Sequence, residues 1–513
     1  MQLATEQHLL LGPPGCGKTT TLLGLLDDEM TSGVAPQRIA YFSFTRKAVT
    51  EAKGRAAERF NMDQDELRFF RTIHSIAFAL GGFTRADVMG LEQYKEVGDA
   101  IGVEFGGGRF DESTGMPMGN AEGDTHLFID SLARARRVDL FRQWEDCGIP
   151  DVDFRNVERT VAAVKKFKAQ QGLVDFTDML ERYVDEGQPI DVDVAFVDEA
   201  QDLSVLQWMT LMRLLSRAQR VYIAGDDDQA IYRWSGADVQ TFLSLAGDRR
   251  VLTQSWRCPQ QVHRIADSLS ERISQRYEKH WKPKDEIGRV ARVHSLESFE
   301  IEALQGSSLL LARNTYLLGQ YYSELRKRGL PYVTSYGSHS VLRAHARAIY
   351  AWERLRKGET ITGQEAKHIY DQLRVGIGVK RGFKSLPNLK NEARTTGEIL
   401  RSTMGLITGN VPWFEALDGI PGKDIAYYRS VLRGKRSLVD PPSIAVNTIH
   451  GVKGGEADNV IINPDMAWKS YQEYTKQPDD EHRVAYVGVS RAKQNLFLLQ
   501  PQTKNFYPYL KTQ

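Results

Sequence analysis

The chain is 513 residues long, 41% hydrophobic and 26% charged, which allows a large core and about two to four domains. Its net charge of +1 excludes a bulk electrostatic footprint for polyanions, so any nucleic-acid contact must be a local patch. Three scattered cysteines (Cys16, Cys147, Cys258) exclude a disulfide framework or zinc spacing and fit a reducing, cytoplasmic compartment; neither a leader pattern nor a bilayer-length apolar run is found, so no membrane association is expected.

In chain order, the apolar run His8–Leu11 reads as a strand. Gly12-Pro13-Pro14-Gly15-Cys16-Gly17-Lys18-Thr19 follows as a complete G-x-x-x-x-G-K-[ST] loop, and Thr20-Thr21-Leu22-Leu23 continues as a helix. Glycines in such a loop let backbone N–H groups turn toward a phosphate, and the helix N-terminus adds a favourable dipole. Lys18 would reach the β/γ-phosphates, and the Thr19 hydroxyl would hold Mg²⁺. A chance Gly/Pro-rich turn is the alternative. Further strand-like runs at Arg38–Phe44, Val192–Val197, Arg220–Ala224, Ser308–Ala312, Ser443–Val446 and Asn459–Ile462 are separated by amphipathic stretches such as Thr45–Phe60 and Val205–Ser216. This alternation predicts α/β units with buried parallel strands and ligands beyond their carboxyl ends. Residues 81–125 read as Gly-, Asp- and Glu-rich loops between helices, and 339–440 as mostly helical with basic clusters. Both look like insertions into the α/β frame.

The run Val194–Val197 ends in Asp198 and Glu199. Metal-assisted phosphoryl transfer needs one carboxylate to anchor Mg²⁺ and another to orient or deprotonate water. Asp198 suits the first role and Glu199 the second. A helix cap at Asp198 competes evenly with this until the upstream phosphate loop is counted. Trp234 sits among polar residues and glycine, which is poor core patterning, and an aromatic platform is the sequence-tolerant way to hold single strands. Basic clusters at Arg134–Arg137, Lys165–Lys168, Arg272–Lys284 and Arg326–Arg328 read equally as a phosphate path or as solvated helix faces, and none is assigned.

Phe42–Ala48, Arg71-Thr72-Ile73-His74-Ser75, Asp175–Leu180, Asp198-Glu199-Ala200-Gln201-Asp202, Ala224–Ala237, Leu252–Arg257, Thr448–Glu456 and Val484–Ala492 follow the phosphate loop in a fixed order. With it they resemble the motifs of the UvrD/Rep-type superfamily 1A DNA helicases along nearly the whole chain. The resemblance implies ATP and Mg²⁺. Gly12, Pro13, Pro14, Gly15, Cys16, Gly17, Lys18, Thr19 and Thr20 would surround the phosphates, with Thr19 and Asp198 at the metal. It implies Lys18, Glu199, Gln229, Arg257 and Arg491 as catalytic residues, the two arginines serving as fingers at the γ-phosphate. A surface salt bridge is the bland reading for each arginine. Trp256 takes the adenine-stacking position and Glu456 the ribose contact. Phe44, Tyr232 and Trp234 fall on the DNA side, and Thr72, His74 and His450 would add polar contacts.

Leu3-Ala4-Thr5-Glu6-Gln7 is similar to the start of the family's adenine-reading motif, but here the strand follows with no intervening helix. Gln7 is therefore expected to contribute little, and choice among nucleotides to be relaxed. Both insertions are short for the family, and no nuclease-like carboxylate cluster is found at either end. The implied architecture is two RecA-like α/β domains, 1–75 with 176–250 and 251–338 with 441–513. Each carries a mainly helical insertion, 76–175 and 339–440. The implied activity is a DNA-stimulated ATPase that moves 3′ to 5′ on single-stranded DNA and unwinds duplexes at single/double-strand junctions, as a monomer with unspecified protein partners. An ATP-gated DNA-binding or protein-displacing factor is the alternative. A small-molecule kinase has no use for the later motifs.

Overall fold

The computed structural model describes residues 3–4, 6–43, 46–107, 109–110, 117–118, 121–386 and 389–510. Two compact units emerge: Met1–Arg292 with Arg313–Thr315 and Thr448–Gln513, and Val293–Ala312 with Tyr316–Asn447.

The first unit is built on a six-stranded sheet of β1 (Glu6–Leu11), β2 (Ile39–Ser43), β3 (Phe70–Arg71), β4 (Val194–Asp198), β5 (Arg220–Gly225) and β6 (Asp248–Val251). Their order is β3-β2-β4-β5-β1-β6 and every neighbouring pair is parallel. Side chains alternate between two buried faces, as a period of two requires. Leu9, Leu11, Phe42, Ala195, Val197 and Ile223 join one core, and Leu10, Ile39, Tyr41, Val194, Phe196 and Ala224 the other. In β2 and β4 every residue is buried, which is why these two strands read as continuous, mostly apolar runs, whereas the edge strand β6 is partly exposed. Helix α1 (Lys18–Thr31) fills the second core through Leu22 and Leu26.

A second sheet contributes Ala457–Asn463, which pairs in parallel with Ala492–Leu499, while Arg289–Val293 lies along the other side of the latter. The helix Pro478–Val489 connects the parallel pair. Between β3 and β4 stand the helices Leu91–Ile101, Glu122–Arg136, Leu140–Cys147, Phe154–Gln171 and Phe176–Glu186, three of them N-capped by Asp139, Asp153 and Asp175. The helix at 91–101 lies inside the stretch read as loops. Its glycine at Gly98 hides a helical pattern, and a Cβ there would meet the Val103 carbonyl at 2.2 Å.

The second unit has strands Ser308–Ala312, Tyr332–Val333 and Ile444–Thr448, with Tyr332 and Val333 parallel to Ile444 and Ala445. Its other residues form helices at Leu318–Lys327, Arg343–Arg356, Gly363–Asp371, Gly397–Thr403, Trp413–Ala416 and Gly422–Arg433, with one short antiparallel pair, Ile361–Thr362 against Arg394–Thr395. The molecule is thus an α/β protein of parallel sheets flanked by helices and interrupted by mainly helical insertions. No helix among the described residues is long and apolar enough to cross a membrane.

Candidate functional site

Register brings the functional loops together. Leu11 pairs with both Gly225 and Val251, and Ser43 with Asp198, so the loops after β1, β4, β5 and β6 leave one edge side by side. The phosphate loop turns into α1 through Gly15 and Gly17, at φ +71° and +80°, where any other residue is strained. Space is equally exacting: a Cβ on Gly15 would fall 2.4 Å from that of Arg257. The Gly12 N–H donates to the Gly225 carbonyl at 3.2 Å, and Lys18 Nζ folds back to the Gly12 carbonyl at 2.9 Å. Burial opposes the Lys18 charge, but the Cys16 sulfur and the carboxylates of Asp226, Glu199 and Asp198 hold its pKa above the ordinary value.

The Thr19 hydroxyl donates to Asp198 Oδ2 at 2.8 Å, and the Tyr41 hydroxyl to the same oxygen at 2.9 Å. A hydroxyl beside a carboxylate at the foot of a phosphate loop is the hard-oxygen donor set that suits Mg²⁺ shared with phosphate oxygens. Burial, then the neighbouring Glu199 charge, pushes the Asp198 carboxyl up. Glu199 itself stands at φ +53°. Burial opposes its ionisation too, yet Lys453 and Lys18 outweigh this and keep it below the usual carboxylate range. The pair is split, one carboxyl raised and one held ionised, which is how adjacent acids take different roles. Gln201 Nε2 donates to Glu199 Oε2 at 2.6 Å and fixes its direction.

Gln229 spans two groups: its Nε2 donates to Asp226 at 2.7 Å, and its Oε1 accepts from Arg491 Nη2 at 2.8 Å. Arg491 is 1% exposed, and burial draws its guanidinium down to about 9. Arg257 Nε donates to Glu456 at 2.7 Å, so the expected ribose contact and one expected finger are here each other's counter-ion. Trp256 is 74% exposed, with its backbone N–H bonded to the Gly15 carbonyl at 2.8 Å. Ser255 Oγ donates to the Pro14 carbonyl at 2.7 Å. An exposed indole beside the phosphate loop is available for stacking. Thr20 is exposed on α1. Gln7 is elsewhere. It lies at the amino end of β1, buried, its Oε1 accepting from the Leu3 N–H and its Nε2 donating to the Ala246 carbonyl at 2.6 Å.

The loop after β5 continues from Gln229 into an aromatic wall. Tyr232 and Trp234 meet edge-on, centroids 6.1 Å apart, and the Tyr232 hydroxyl donates to the His450 carbonyl at 3.1 Å. Trp234 and His450 line a cavity of about 600 Å³. Thr72 caps the helix Ile73–Leu80 by accepting the Ser75 N–H. His74 follows it, and burial holds its ring down to about 4; burial lowers His450 well below its ordinary value as well. Both rings are neutral near pH 7 and can offer hydrogen bonds but no charge. Phe44 lies outside the described residues.

Sequence reasoning passed over Lys453 and Asp202. Lys453 Nζ donates to both Asp202 oxygens at 2.7 and 2.6 Å and to the Gln229 carbonyl at 2.7 Å, and lies 5.1 Å from the Tyr232 ring centroid. One buried ammonium therefore touches the nucleotide side and the aromatic wall. Burial raises Asp202 to about 7 despite this partner. The unassigned basic clusters find specific partners. Arg134 binds Asp175, Asp178 and Glu181, and Lys168 binds Asp175 and Asp178. Lys279 sits among Asp226, Asp227 and Asp228, and Arg276 holds Asp228 bidentately.

The AAA domain model matches residues 1–235, and the UvrD-like helicase C-terminal domain model matches residues 430–502. The ATP-dependent DNA helicase PcrA of Bacillus subtilis is 27% identical over 299 residues, 54% of this chain and 39% of that protein. PcrA of Staphylococcus aureus is 25% identical over 302 residues, again 54% of this chain and 39% of the relative. The match thus spans about two fifths of the length of these curated relatives. The order of its motifs, the joining of their loops along one sheet edge and these two domain matches all make the chain similar to UvrD-like superfamily 1 helicases.

Proposed function

We propose that the chain is an ATP-driven motor that moves 3′ to 5′ on single-stranded DNA and unwinds duplexes. The carrying observation is the segment Gln229–Trp234, whose first residue is bonded to Arg491 and whose last lines the aromatic cavity. A change at the phosphate end has a short covalent route to the DNA end. In this reading the loop N–H groups and Lys18 hold the β/γ-phosphates. Thr19 and Asp198 hold Mg²⁺, which neutralises charge on the phosphate oxygens. Glu199 accepts the proton of the attacking water. Arg257 leaves Glu456 and joins Arg491 at the γ-phosphate, where cations stabilise developing charge. Gln229 registers the γ-phosphate, Trp256 stacks on the base, and the freed Glu456 meets the ribose. Tyr232, Trp234, Phe44, Thr72, His74 and His450 contact DNA. Residues 1–75 with 176–250 act as one motor domain and 251–338 with 441–513 as the other, and the protein works inside a cell as a monomer.

The names of the relatives support ATP and DNA as the substrates. The test is steady-state ATP hydrolysis with and without single-stranded DNA, followed by strand displacement on duplexes with a 3′ or a 5′ tail. Stimulation by DNA and displacement from the 3′ tail are expected. Hydrolysis indifferent to DNA overturns the motor reading, and displacement only from the 5′ tail overturns the direction. Stimulation without displacement favours a clamp or protein-displacing factor.

A further inference from the structure

The cavity beside Trp234 has a second wall to which the motifs assign nothing. The helix Trp468–Lys476 places Trp468, Lys469, Gln472 and Lys476 on it, and their spacing of one, four and eight residues puts them on one helical face. Trp468 is 60% exposed, unusual for an indole, whose large apolar surface is generally covered. Its mount is rigid. Asn314 accepts the Ala467 N–H at 2.8 Å and donates to Ser470 Oγ at 3.1 Å, which pins the start of the helix. Tyr471 stacks against the indole, ring planes 25° apart and centroids at 6.3 Å. Two of the acidic residues that line the cavity are paired, Glu481 with Arg313 and Asp480 with Arg233. Burial pushes the Glu473 carboxyl up, beside Lys469, and the lysines and Arg136 share the lining with Glu145 and Asp146, so the cavity is mixed in sign with Lys469 and Lys476 on the Trp468 wall.

An exposed, pre-positioned indole with lysines on its own helix face, opening on a cavity that already holds a motif tryptophan, has the composition of a single-strand track. A volume of about 600 Å³ lies in the range of sites that enclose small organic groups. We propose that Trp468 is a second base-stacking platform, so that a nucleobase of the bound single strand lies on it inside this cavity while Lys469 and Lys476 attend the adjoining phosphates. The inference rests on the DNA reading above and extends it to a helix outside the motifs.

The experiment uses the full chain and measures anisotropy of labelled oligothymidylate and of an abasic strand of equal length. It compares the parent with Trp468→Ala, Trp468→Leu and Trp468→Phe. Loss of stacking should weaken oligothymidylate binding about ten- to a hundredfold in the Ala and Leu variants, with abasic binding unchanged, and Phe should restore most of it. Leu supplies apolar bulk without a π face, so equal behaviour of Leu and Phe overturns the proposal. So does equal loss on both strands, or an Ala variant that binds like the parent. A Leu variant whose thermal transition collapses makes Trp468 structural and also overturns it. A parent that binds neither strand instead overturns the DNA reading.

Discussion

The phosphate end and the aromatic wall share the loop after β5 but are finished differently. At the phosphate end Lys18, Asp198, Glu199, Gln229 and Arg491 are each tied to a named partner through hydrogen bonds of 2.6–2.9 Å. At the wall, the ring nitrogens Nε1 of Trp234 and Nδ1 of His450 are buried without a hydrogen-bond partner. Buried polar atoms are normally satisfied, and an orphan asks for an explanation. On the proposed reading, the charged groups of the chemistry are fixed before the substrate arrives, whereas a surface that would grip and release a strand keeps capacity in reserve at these two rings. Lys453 belongs to both and is where the contrast can be attacked.

The largest expected effect is at the fixed end. Glu199→Gln keeps the shape and the Gln201 contact but removes the proton acceptor, so hydrolysis should fall on the order of 10² to 10⁴ while nucleotide still binds. Single-turnover hydrolysis beside equilibrium nucleotide binding reads both, and a parent-like rate would remove Glu199 from the role of base. Next comes the shared ammonium. Lys453→Ala strands the Asp202 carboxyl, 2% exposed and already raised to about 7 beside its partner; near neutral pH the carboxyl then takes up a proton, and only in alkaline buffer, where it stays charged, does breaking the buried pair cost about 3–5 kcal/mol. In alkaline buffer Asp202→Asn in the same chain should recover much of that, because the orphaned charge disappears. Urea midpoints of the two single variants and the double variant decide it; a double variant no more stable than Lys453→Ala alone would place the effect outside this pair.

How far the sequence carried the argument depended on the range of each interaction. The phosphate loop and the strand runs leading to Asp198 and Gly225 were legible because periodicity and glycine placement are local, whereas Trp256 was reached only through the motif resemblance. Boundaries moved little: the strand expected from Arg38 begins at Ile39, and Val192–Val197 became Val194–Asp198. The basic clusters were illegible because a run of charges does not name its counter-ions: Arg134 finds Asp175, Asp178 and Glu181 more than 40 residues on and Lys279 its aspartates more than 50 back, although Lys168 pairs nearby. Lys453 stood in plain view within Thr448–Glu456. Only tertiary contact could show that it reaches Asp202.

At the residues proposed to meet DNA the expected effects are smaller. His74 is neutral in the fold, with its pKa held near 4 by burial, and would take up a proton near 6.5 when unfolded. Its contribution to stability is therefore present above about pH 6.5 and is lost as pH falls toward 4, amounting to about 1.4 kcal/mol by about pH 5.5. His74→Asn should flatten that acid-side decline in denaturant midpoints between neutral pH and about pH 5. An unchanged slope would mean that the ring is protonated in the fold, and a DNA contact there could then be ionic.

The smallest effect concerns nucleotide choice, where this chain departs from the family it resembles. The Gln7 carboxamide spends both ends on the fold, with Leu3 and Ala246, at the opposite end of β1 from the phosphate loop. An edge of adenine needs a placed donor and acceptor, and this amide has neither to spare. Stacking on Trp256 requires only a π surface and separates purines poorly. GTP should then support DNA-stimulated hydrolysis within about tenfold of ATP, since one lost edge contact is worth about 1 kcal/mol. Gln7→Ala should lower thermal stability and leave the ATP/GTP ratio where it was, because it removes a buried bond rather than a reader. Trp256→Ala should raise KM for both nucleotides together. Steady-state hydrolysis of each nucleotide at saturating single-stranded DNA gives the three kinetic results, and a thermal melt of Gln7→Ala gives the fourth. A parent that rejects GTP, with a Gln7→Ala variant that accepts it, would restore Gln7 as the adenine reader and require the Leu3 and Ala246 contacts to open when nucleotide binds.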